Sequence, residues 1–489
     1  MSKKRKKDND IYIEFIGHSN TDVTGSSVLI NYKKDKDTRS YILIELGLVQ
    51  GENTIDKEIS ANRRMLENLP KDIIGNIEYV LLSHAHADHT CNLPYLNDDN
   101  GFKGEILGSE ATIEITKDLI KDSVYIHSKN IESLKSKGKK VKPLYTEVQM
   151  NQMFKRMRSI SIYEKIKLNE AVTIELVNSG HVYGATMIHL WIKKPNQSIF
   201  HIIMSGDMGS EQNKLIHPLA EKREQITKCN LFISEATYNK KSRSFNKCDV
   251  QKEFEDFKCT IKENLLQGKQ ILLPVFSFNK VQEFLILFYE WLKDEEWFNE
   301  NDFPIICDGV LMHKITNVFK KTLCNDKKDY FNEVCNWNKI KVNKTFDGTM
   351  AIMSKKEPMI IMASSGFMQQ GRVVAYIKQL LGSKKGVILT TGYIGGEGSI
   401  GWKIAESPQK TVSIEKQVIL KRALVKSYHC FSSHIQYDEL ESLYKGLQCE
   451  KILIHHSSKE DKLNFVKEMR KNTNKNIECV TDKNYEFIF

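Results

Sequence analysis

The sequence predicts an α/β fold, in which helices cover β-sheets and a second α/β unit is inserted into the first. Apolar, β-branched runs typical of strands alternate with helix-like segments such as SEATIEITKDLIKDSVYIHSK, which favours layers of helix on sheet. The chain has 489 residues, more than one hydrophobic core usually holds. We therefore expect two domains, each with a core of its own.

Six of the strand-like runs stop at a residue that can bind a metal or transfer a proton. YILIELG ends near Glu45, and IEYVLLSHAHADH carries a cluster of histidines. The other four are AVTIELVNSGH, FHIIMSGD, NLFISEATY and KILIHHSS, which lead to His181, Asp207, Glu235 and His455. Polar residues at the ends of sheet strands typically build a site along one edge of the sheet. The runs therefore predict such a site.

The pattern changes between about residues 240 and 428. The helical segment VQKEFEDFKCTIKENLLQGK precedes the apolar strand QILLPVFSF, and the strands FPIICDG, PMIIMASSG and GVILTTGY run into Gly, Ser or Asp. We predict a basic disordered tail over residues 1–9, a first domain over 10–239, an inserted domain over 240–428 and a return to the first domain over 429–489. The crevice between the domains is the expected substrate site.

Composition narrows the class of protein. Lys and Arg number 72 against 62 Asp and Glu, a net charge of +10 that is compatible with a polyanionic partner without requiring one. No run of eighteen or more apolar residues predicts a membrane span. The ten cysteines show no C-x-x-C spacing, and MSKKRKKDND has no apolar core of a secretory signal, so we expect a cytosolic protein.

The stretch SHAHADH places His84, His86, Asp88 and His89 within six positions. His84 and His86 are two apart, which on an extended chain points both imidazoles the same way. A helical zinc protease would instead space its histidines four apart. So many unpaired imidazoles would repel one another if charged and would lose hydration if buried. The cluster therefore predicts metal binding, and its layout suits two neighbouring ions.

Ligands for two ions can be sorted between distant segments. His84, His86 and His181 would hold one ion, Asp207 would bridge, and the second ion would take Asp88, His89 and His455. These donors suit zinc, two ions per chain, with manganese or iron as alternatives. Single histidines at strand ends are more often structural, and His456 beside His455 leaves the choice between these two open, because a slip of one residue reverses which one points inward.

With these motifs, the chain resembles the metallo-β-lactamase superfamily and, within it, the β-CASP branch of nucleic-acid-processing nucleases. In order along the chain, the matching stretches are DVTGSSVLI, LIELGLVQG, SHAHADH, SGHVYGA, SGDMG, SEATY, LLPVFSFNKVQE, ASSGFMQQGR, GYIGGEGSIG, CFSSH and ILIHH. The resemblance implies an αββα sandwich with two zinc ions bridged by Asp207, an inserted β-CASP domain acting as a lid, and hydrolysis of phosphodiesters in RNA or sometimes DNA.

The resemblance also implies roles for individual residues. Glu235 matches a carboxylate that orients a histidine, and His434 matches that histidine, which protonates the leaving oxygen; Asp88 completes the expected catalytic set. A positioned acid is useful for expelling an alkoxide of high pKa. The expected phosphate-binding residues, for which a simple turn between strand and helix is an equal alternative, are Ser364, Ser365, Gly366, Arg372 and Ser432.

Some positions depart from the family pattern. Glu45 stands where Asp is usual, which could shift the metal geometry slightly. Asn279 and Lys280 replace a common Gly-Arg, and Trp402 replaces a common Arg; Lys keeps the charge but loses the bidentate grip of Arg on phosphate. These changes spare the expected metal ligands and catalytic residues and bear on the choice of substrate.

The leading hypothesis is a dizinc phosphodiesterase acting on single-stranded RNA as an endonuclease, with 5′-exonuclease activity also open. A DNA-directed β-CASP nuclease is an alternative. A small-molecule metallo-hydrolase would keep the metal ligands but would not need so large a lid, and a catalytically silent nucleic-acid-binding subunit would not need the complete ligand set. The family often dimerises, so a homodimer is a further expectation.

Overall fold

The computed structural model describes residues 10–18, 23–35, 38–51, 54–211, 221–243, 247–480 and 485–488. The predicted basic tail over residues 1–9 lies outside this range. The described residues form two compact units: the first holds those up to Glu211, those of 221–243 and those from Ser433 onward, and the second holds 247–432. The second unit thus interrupts the first, and Ser432 falls at its last position.

The strands follow one another along the chain in three blocks. The first unit begins with β1 (Ile11–Phe15), β2 (Val28–Lys33), β3 (Arg39–Ile44), β4 (Ile77–Leu81), β5 (Glu105–Gly108), β6 (Met157–Ser159), β7 (Ile166–Lys167), β8 (Val172–Asn178), β9 (Thr186–Lys193), β10 (Ile199–Met204) and β11 (Leu231–Glu235). The second unit holds β12 (Gln270–Pro274), β13 (Ile305–Asp308), β14 (Ile340–Asn343), β15 (Met359–Ala363), β16 (Gly386–Thr390), β17 (Thr411–Ile414), β18 (Gln417–Leu420) and β19 (Leu424–Ser427). The first unit resumes with β20 (Lys451–His455), β21 (Ile477–Cys479) and β22 (Tyr485–Ile488).

The helices divide in the same way. The first unit has α1 (Ile55–Leu66), α2 (Lys71–Ile74), α3 (Ala87–Thr90), α4 (Glu110–Ser136) and α5 (Glu147–Phe154). The second has α6 (Lys247–Leu266), α7 (Lys280–Leu292), α8 (Glu296–Asn299), α9 (Val310–Thr322), α10 (Asn325–Cys335), α11 (Phe346–Ser354), α12 (Val373–Leu380) and α13 (Ile400–Ala405), and the first unit ends with α14 (Tyr437–Gly446) and α15 (Lys459–Thr473). Among these described helices, none is both long and apolar enough to cross a membrane.

The first unit is an αββα sandwich, as predicted. One sheet has the order β22-β1-β2-β3-β4-β5-β6 and the other β21-β20-β11-β10-β9-β8-β7. Alternate residues of the strands face inward, so side chains such as Ile13, Ile42 and Ile202 form a core between the sheets. The opposite face of the first sheet packs on α1, α4 and α5, and that of the second packs on α14 and α15. Each sheet is therefore covered by helices on its outer face.

The strand ends bring the polar residues together. All six runs singled out in the sequence form strands: β3, β4, β8, β10, β11 and β20. β10, β11 and β20 are parallel neighbours in the second sheet, so their carboxyl ends lie at one edge. Glu235 is the last residue of β11 and His455 is the last residue of β20, and the two are direct partners in the strand register. This edge carries the candidate site.

The second unit is an α/β domain with a six-stranded sheet of order β14-β13-β15-β12-β16-β19. All five pairings in this sheet are parallel. β17 and β18 form a separate antiparallel hairpin. Because every strand of the parallel sheet runs in the same direction, the loops after β12, β13, β15 and β16 leave the same edge. The SSG stretch at 364–366 follows β15 in one of these loops.

Candidate metal centre

The SHAHADH stretch links β4 to the short helix α3. His84 and His86 lie in the extended segment before α3, and Asp88 and His89 lie within it. The loop that carries Gly47 packs so closely on this turn that a Cβ atom on Gly47 would lie 1.6 Å from the carbonyl oxygen of Asp88. Only glycine fits there, and this contact holds the end of β3 against the histidine cluster.

Three histidines and one aspartate converge at the first group. The His86 Nδ1 atom lies 3.0 Å from His84 Nε2 and 3.4 Å from His181 Nε2. The Oδ2 atom of Asp207 lies 3.5 Å from His84 Nε2 and 3.6 Å from His181 Nε2. Their donor atoms all lie within 4.8 Å of one another, close enough to share one metal ion.

The second group contains Asp88, His89 and His456. The Oδ2 atom of Asp88 lies 3.7 Å from His89 Nε2 and 3.5 Å from His456 Nε2. Asp207 reaches this group as well, with Oδ2 3.5 Å from His89 Nε2 and Oδ1 3.7 Å from His456 Nδ1. Asp207 therefore lies between the two groups, and its role as a bridging ligand stays a prediction.

The choice of His455 as a ligand requires correction, because His456 occupies the predicted place. His455 is the last residue of β20, and its ring packs 5.8 Å from the ring of Phe15. His456 follows with φ of 53°, in the left-handed region, so the alternation of the strand stops before it. The turn directs His456 toward Asp88 and Asp207, and strand periodicity alone could not have predicted this.

A second layer of hydrogen bonds orients the histidines. The Glu45 Oε2 atom lies 2.7 Å from His89 Nδ1, which leaves Nε2 of His89 facing Asp88 and Asp207. The Ser83 hydroxyl donates to Oε1 of Glu45 and lies 2.9 Å from His84 Nδ1. Carboxylates in this position fix the tautomer and the direction of a ligating imidazole. Glu45 thus performs this contact in place of the usual Asp.

Burial and charge divide the histidines into two kinds. Burial lowers the pKa of His86 to about 4 and holds the pKa values of His84 and His181 well below the ordinary range, so these imidazoles are neutral near pH 7. For His89 and His456, burial again acts against protonation, but the neighbouring carboxylates outweigh it and raise the pKa. Neutral imidazole is the metal-binding form.

The donor set fits zinc. His89 Nε2, His456 Nε2 and Asp207 Oδ1 are buried and have no hydrogen-bond partner among the described residues. Buried polar atoms without partners are costly, and the three side chains are neighbours, since Asp207 lies 3.5 Å from His89 Nε2 and 3.7 Å from His456 Nδ1. Imidazole nitrogens and carboxylate oxygens are the donors that zinc takes in catalytic sites. A cation would satisfy them together and would offset the charge of Asp88 and Asp207.

Glu235 and His434 form a carboxylate–imidazole pair beside Asp207. The two carboxylate oxygens of Glu235 lie 3.2 and 3.4 Å from His434 Nδ1. The backbone N–H of Met208 donates to Oε1 of Glu235, and the Thr237 hydroxyl donates to Oε2 at 2.5 Å. Burial lowers the pKa of His434, but the carboxylate of Glu235 outweighs it and raises the pKa to about 9. The imidazole is therefore positively charged at neutral pH.

Two hydroxyl groups that contact site residues were not predicted from the sequence. Ser83 joins Glu45 to His84, and Thr237 contacts both Glu235 and, at 3.3 Å, the Nδ1 atom of His456. Both lie inside the quoted motifs SHAHADH and SEATY. Their position within these motifs was the only indication of a role in the site. Ser and Thr are too common in proteins for a role to follow from their presence alone.

The phosphate-binding candidates lie in the second unit and differ in their surroundings. The Ser365 hydroxyl is buried and has no hydrogen-bond partner within the described part of the chain. A Cβ on Gly366 would lie 2.7 Å from the ring of Phe276. The backbone N–H of Ser432 donates to the carbonyl oxygen of His429 at 3.1 Å. Ser364 and Ser365 are the first residues of the loop that follows β15.

Arg372 is engaged within its own unit, at variance with its predicted role. Its guanidinium donates to Asp308 and to the carbonyl oxygens of Asn343 at 3.2 Å and Lys344 at 2.6 Å. Asp308 is fully buried and also accepts from Tyr376 at 2.6 Å. Because Asp308 balances its charge and these three hydrogen bonds stay within the unit, we propose a structural role for Arg372 in place of phosphate binding.

The residues that depart from the family pattern are also engaged. Lys280 donates to Glu283 at 2.8 Å and to the carbonyl oxygen of Phe431 at 2.6 Å. Asn279 has φ of 66° and donates to Glu283 at 2.8 Å. Trp402 lies in the first turn of α13. Lys280 therefore links the loop after β12 to the segment that returns toward the first unit.

The αββα sandwich with a histidine cluster at one sheet edge defines a metallo-β-lactamase fold. Known families match the second half of the chain: the Beta-Casp domain matches residues 281–404, and the Zn-dependent metallo-hydrolase RNA specificity domain matches residues 419–480. These matches confirm the resemblance to the β-CASP branch of the metallo-β-lactamase superfamily that the motifs predict.

Curated relatives of the chain are about 25% identical to it over the aligned residues. Integrator complex subunit 11 of Danio rerio is 25% identical over 397 residues, 80% of this chain and 61% of that protein. Endoribonuclease ysh1 of Schizosaccharomyces pombe is 24% identical over 391 residues, 78% of this chain and 47% of that protein. Transcription termination factor FttA of Methanocaldococcus jannaschii is 26% identical over 481 residues, 94% of this chain and 69% of that protein.

The chain therefore spans less than two thirds of the length of the first two of these relatives. Among solved structures, a protein of unknown function from Enterococcus faecalis V583 superposes with a TM-score of 0.55 at 13% identity, covering 98% of this chain and 100% of that one. At this level of identity the match supports the fold, and it extends over both units.

Proposed function

We propose that this chain is a zinc-dependent ribonuclease that hydrolyses phosphodiester bonds in single-stranded RNA. The observation that carries the proposal is the Glu235–His434 pair beside Asp207, because it adds a charged proton donor to a set of metal ligands. A metal site alone would suit many hydrolases. A positioned acid next to it suits a reaction whose leaving group is a poor one, such as the ribose oxygen of RNA.

Two zinc ions are proposed, one for each group of donors. His84, His86 and His181 would hold the first, Asp88, His89 and His456 the second, and Asp207 both. Bound zinc supplies Lewis acidity toward water and phosphate oxygens. Glu45 and Ser83 keep His89 and His84 turned toward the ions, so they act as positioning residues.

His434 is proposed to give its proton to the leaving oxygen. With a pKa of about 9 it holds that proton at neutral pH, and Glu235 both stabilises the charge and fixes the ring through Nδ1. The Nε2 atom is then the one from which the proton would leave. Asp88 is proposed to ligate an ion and to accept a hydrogen bond from the attacking water.

RNA is favoured as the substrate by the domain at residues 419–480, whose family is described as an RNA specificity domain. A relative carries the name endoribonuclease, and the net charge of +10 suits a polyanion. Ser364, Ser365, Gly366 and Ser432 remain proposed phosphate contacts through hydroxyl and backbone N–H groups. Arg372 is left out of this set because Asp308 engages it.

The proposal is tested with purified, zinc-loaded protein and one unstructured RNA carrying either a 5′ label or an internal label. A DNA of the same sequence is the matched substrate. We expect cleavage of RNA, and the position of the label in the first products separates endonuclease from 5′-exonuclease action. His434→Gln should reduce kcat by about 100- to 10,000-fold, the usual contribution of a general acid, while the zinc content stays unchanged.

His84→Ala is the metal-site control; it removes a donor of the first ion, so it should abolish cleavage and lower the zinc content to about one ion per chain. Glu263→Gln, an exposed position on α6, should have no effect on either quantity. Zinc-loaded wild-type protein that leaves RNA intact would contradict the proposal, and cleavage of DNA in preference to RNA would redirect it to the other polymer.

A further inference from the structure

Cys229 and Cys449 lie side by side although 219 other residues separate them in the sequence. Strands β11 and β20 pair in parallel with Leu231 opposite Lys451, and a β-bridge joins Lys228 to Gln448 just before them. The same register places Cys229 opposite Cys449. The backbone N–H of Cys229 donates to the carbonyl oxygen of Gln448 at 3.0 Å, which fixes the two chains at this point.

Both thiols are on the same side of the sheet. Cys229 belongs to the apolar core between the second sheet and helices α14 and α15, and Cys449 packs against that same core. Neighbouring strands lie about 4.8 Å apart. A disulfide needs a Cα to Cα distance of about 4.4 to 6.8 Å and side chains that point the same way. The cross-strand position of the two cysteines meets both conditions.

The two thiols also differ in exposure and in pKa, as expected for the two partners of a reactive pair. Cys229 is 6% exposed, whereas Cys449 is half-buried. Cys449 receives a hydrogen bond from the thiol of Cys229, and this contact, with Lys475 nearby, lowers the pKa of Cys449, whereas the same contact and burial raise the pKa of Cys229. The accessible thiol is therefore the stronger nucleophile, and its buried neighbour is placed to resolve a mixed disulfide.

We propose that Cys229 and Cys449 form a redox-active dithiol that is oxidised to a disulfide by small-molecule disulfides of the glutathione type. The Cys449 thiolate attacks one sulfur of glutathione disulfide and releases one glutathione thiolate. The Cys229 thiolate then attacks the Cys449 sulfur and releases the second. Two protein thiols are oxidised, one glutathione disulfide is reduced to two thiols, and the protons of the protein thiols pass to the released glutathione.

The site has a structural consequence that does not depend on the proposed ribonuclease function. The bond would join the segments that lead into the paired strands β11 and β20, two residues before each strand begins. These strands end at Glu235 and His455, directly before His456. It would also close a chain loop that contains residues 247–432, the described part of the second unit. A cross-link over such a long loop restricts the unfolded chain, so the oxidised protein should resist unfolding of the first unit.

The test is equilibration of the full-length, zinc-loaded protein with glutathione disulfide, followed by alkylation and non-reducing tryptic mapping. Cys229 lies in the peptide 229–240 and Cys449 in the peptide 446–451. We expect these two peptides to appear joined, and the protein's unfolding temperature to rise. Cys449→Ser should abolish the joined peptide and the rise. Cys259→Ser and Cys324→Ser, at exposed positions, should abolish neither.

Two results would overturn the proposal. One is glutathione attached to the exposed cysteines with peptides 229–240 and 446–451 still separate. The other is a joined peptide that forms only in urea, because this would show that the native strands hold the thiols apart. Circular dichroism of Cys449→Ser keeps the test valid, since that half-buried substitution should leave the native spectrum intact.

Discussion

Glu45 and His89 are joined by one hydrogen bond, in which the carboxylate oxygen Oε2 lies 2.7 Å from the ring nitrogen Nδ1. Both side chains are buried. The bond connects the residue after β3 to the short helix α3, which carries the candidate metal ligands Asp88 and His89. It decides which nitrogen of His89 faces Asp88 and Asp207. The longer Glu side chain therefore fulfils a contact for which the family usually has Asp.

Glu45→Gln should weaken zinc binding about 10- to 100-fold, as loss of a carboxylate behind a ligating histidine commonly does. The amide can accept the same hydrogen bond but no longer stabilises the imidazole by charge. Competition with a chromogenic zinc chelator measures the affinity. Glu263→Gln serves as the exposed carboxylate control, and equal affinities for Glu45→Gln and the wild type would contradict the role of Glu45.

The neighbouring histidines His455 and His456 should differ in their effect on zinc content. His456→Ala removes a donor from the group with Asp88 and His89, so we expect about one zinc per chain in place of two. His455→Ala should retain both ions, because His455 packs against Phe15 outside these groups. Elemental analysis of the two folded variants measures the zinc content of each. Retention of both ions by His456→Ala would restore the assignment to His455.

The pH dependence of cleavage should report His434. Its pKa is raised to about 9, so the imidazole is fully protonated below the ordinary value of 6.5 and loses its proton as the pH rises through about 9. A reaction that uses this proton should slow above that pH. The stability that the Glu235–His434 pair contributes follows the same course, being complete below about 6.5 and lost toward about 9.

Glu235→Gln removes the charge that raises this pKa, so the alkaline limit of kcat/KM should move to lower pH by about 1 to 3 units. The measurement is a pH–rate profile with zinc content checked at each pH. In His434→Gln the limit should vanish with most of the activity. An alkaline limit that stays in place in Glu235→Gln would assign it to another group.

Arg372→Met should destabilise the second unit by about 3 kcal/mol, because it leaves the buried carboxylate of Asp308 without its charged partner. Four of the five tryptophans lie in this unit, so fluorescence in a denaturant titration follows it. Arg422→Met removes an equal charge from an exposed position and should cost little.

The same two variants test the phosphate role first predicted for Arg372. Under conditions where both are folded, the dependence of RNA affinity on salt should be equal in Arg372→Met and the wild type. A slope reduced by about 0.7, the loss of one phosphate contact on a single strand, would return Arg372 to the phosphate-binding set.

Most of the architecture could be predicted because strands and motifs are local. The six runs that ended at polar residues all form strands, since β-branched alternation and burial act over five to eight neighbouring residues. Asp207 lies between two groups of donors because it follows β10, a position visible in the sequence. The inserted unit was visible as a change in pattern, and its parallel sheet follows from strands separated by helices.

The sequence by itself determined the fold class, the order of the motifs and nearly every side chain of the candidate metal centre. The tertiary structure decided which of two adjacent histidines faces Asp88, that Arg372 is paired with Asp308, and that Cys229 meets Cys449. These outcomes depend on a left-handed turn, a buried carboxylate and a strand register, each set by segments far away in the chain. Local patterns carry no information about such partners, because the contacts exist only once the sheets have assembled.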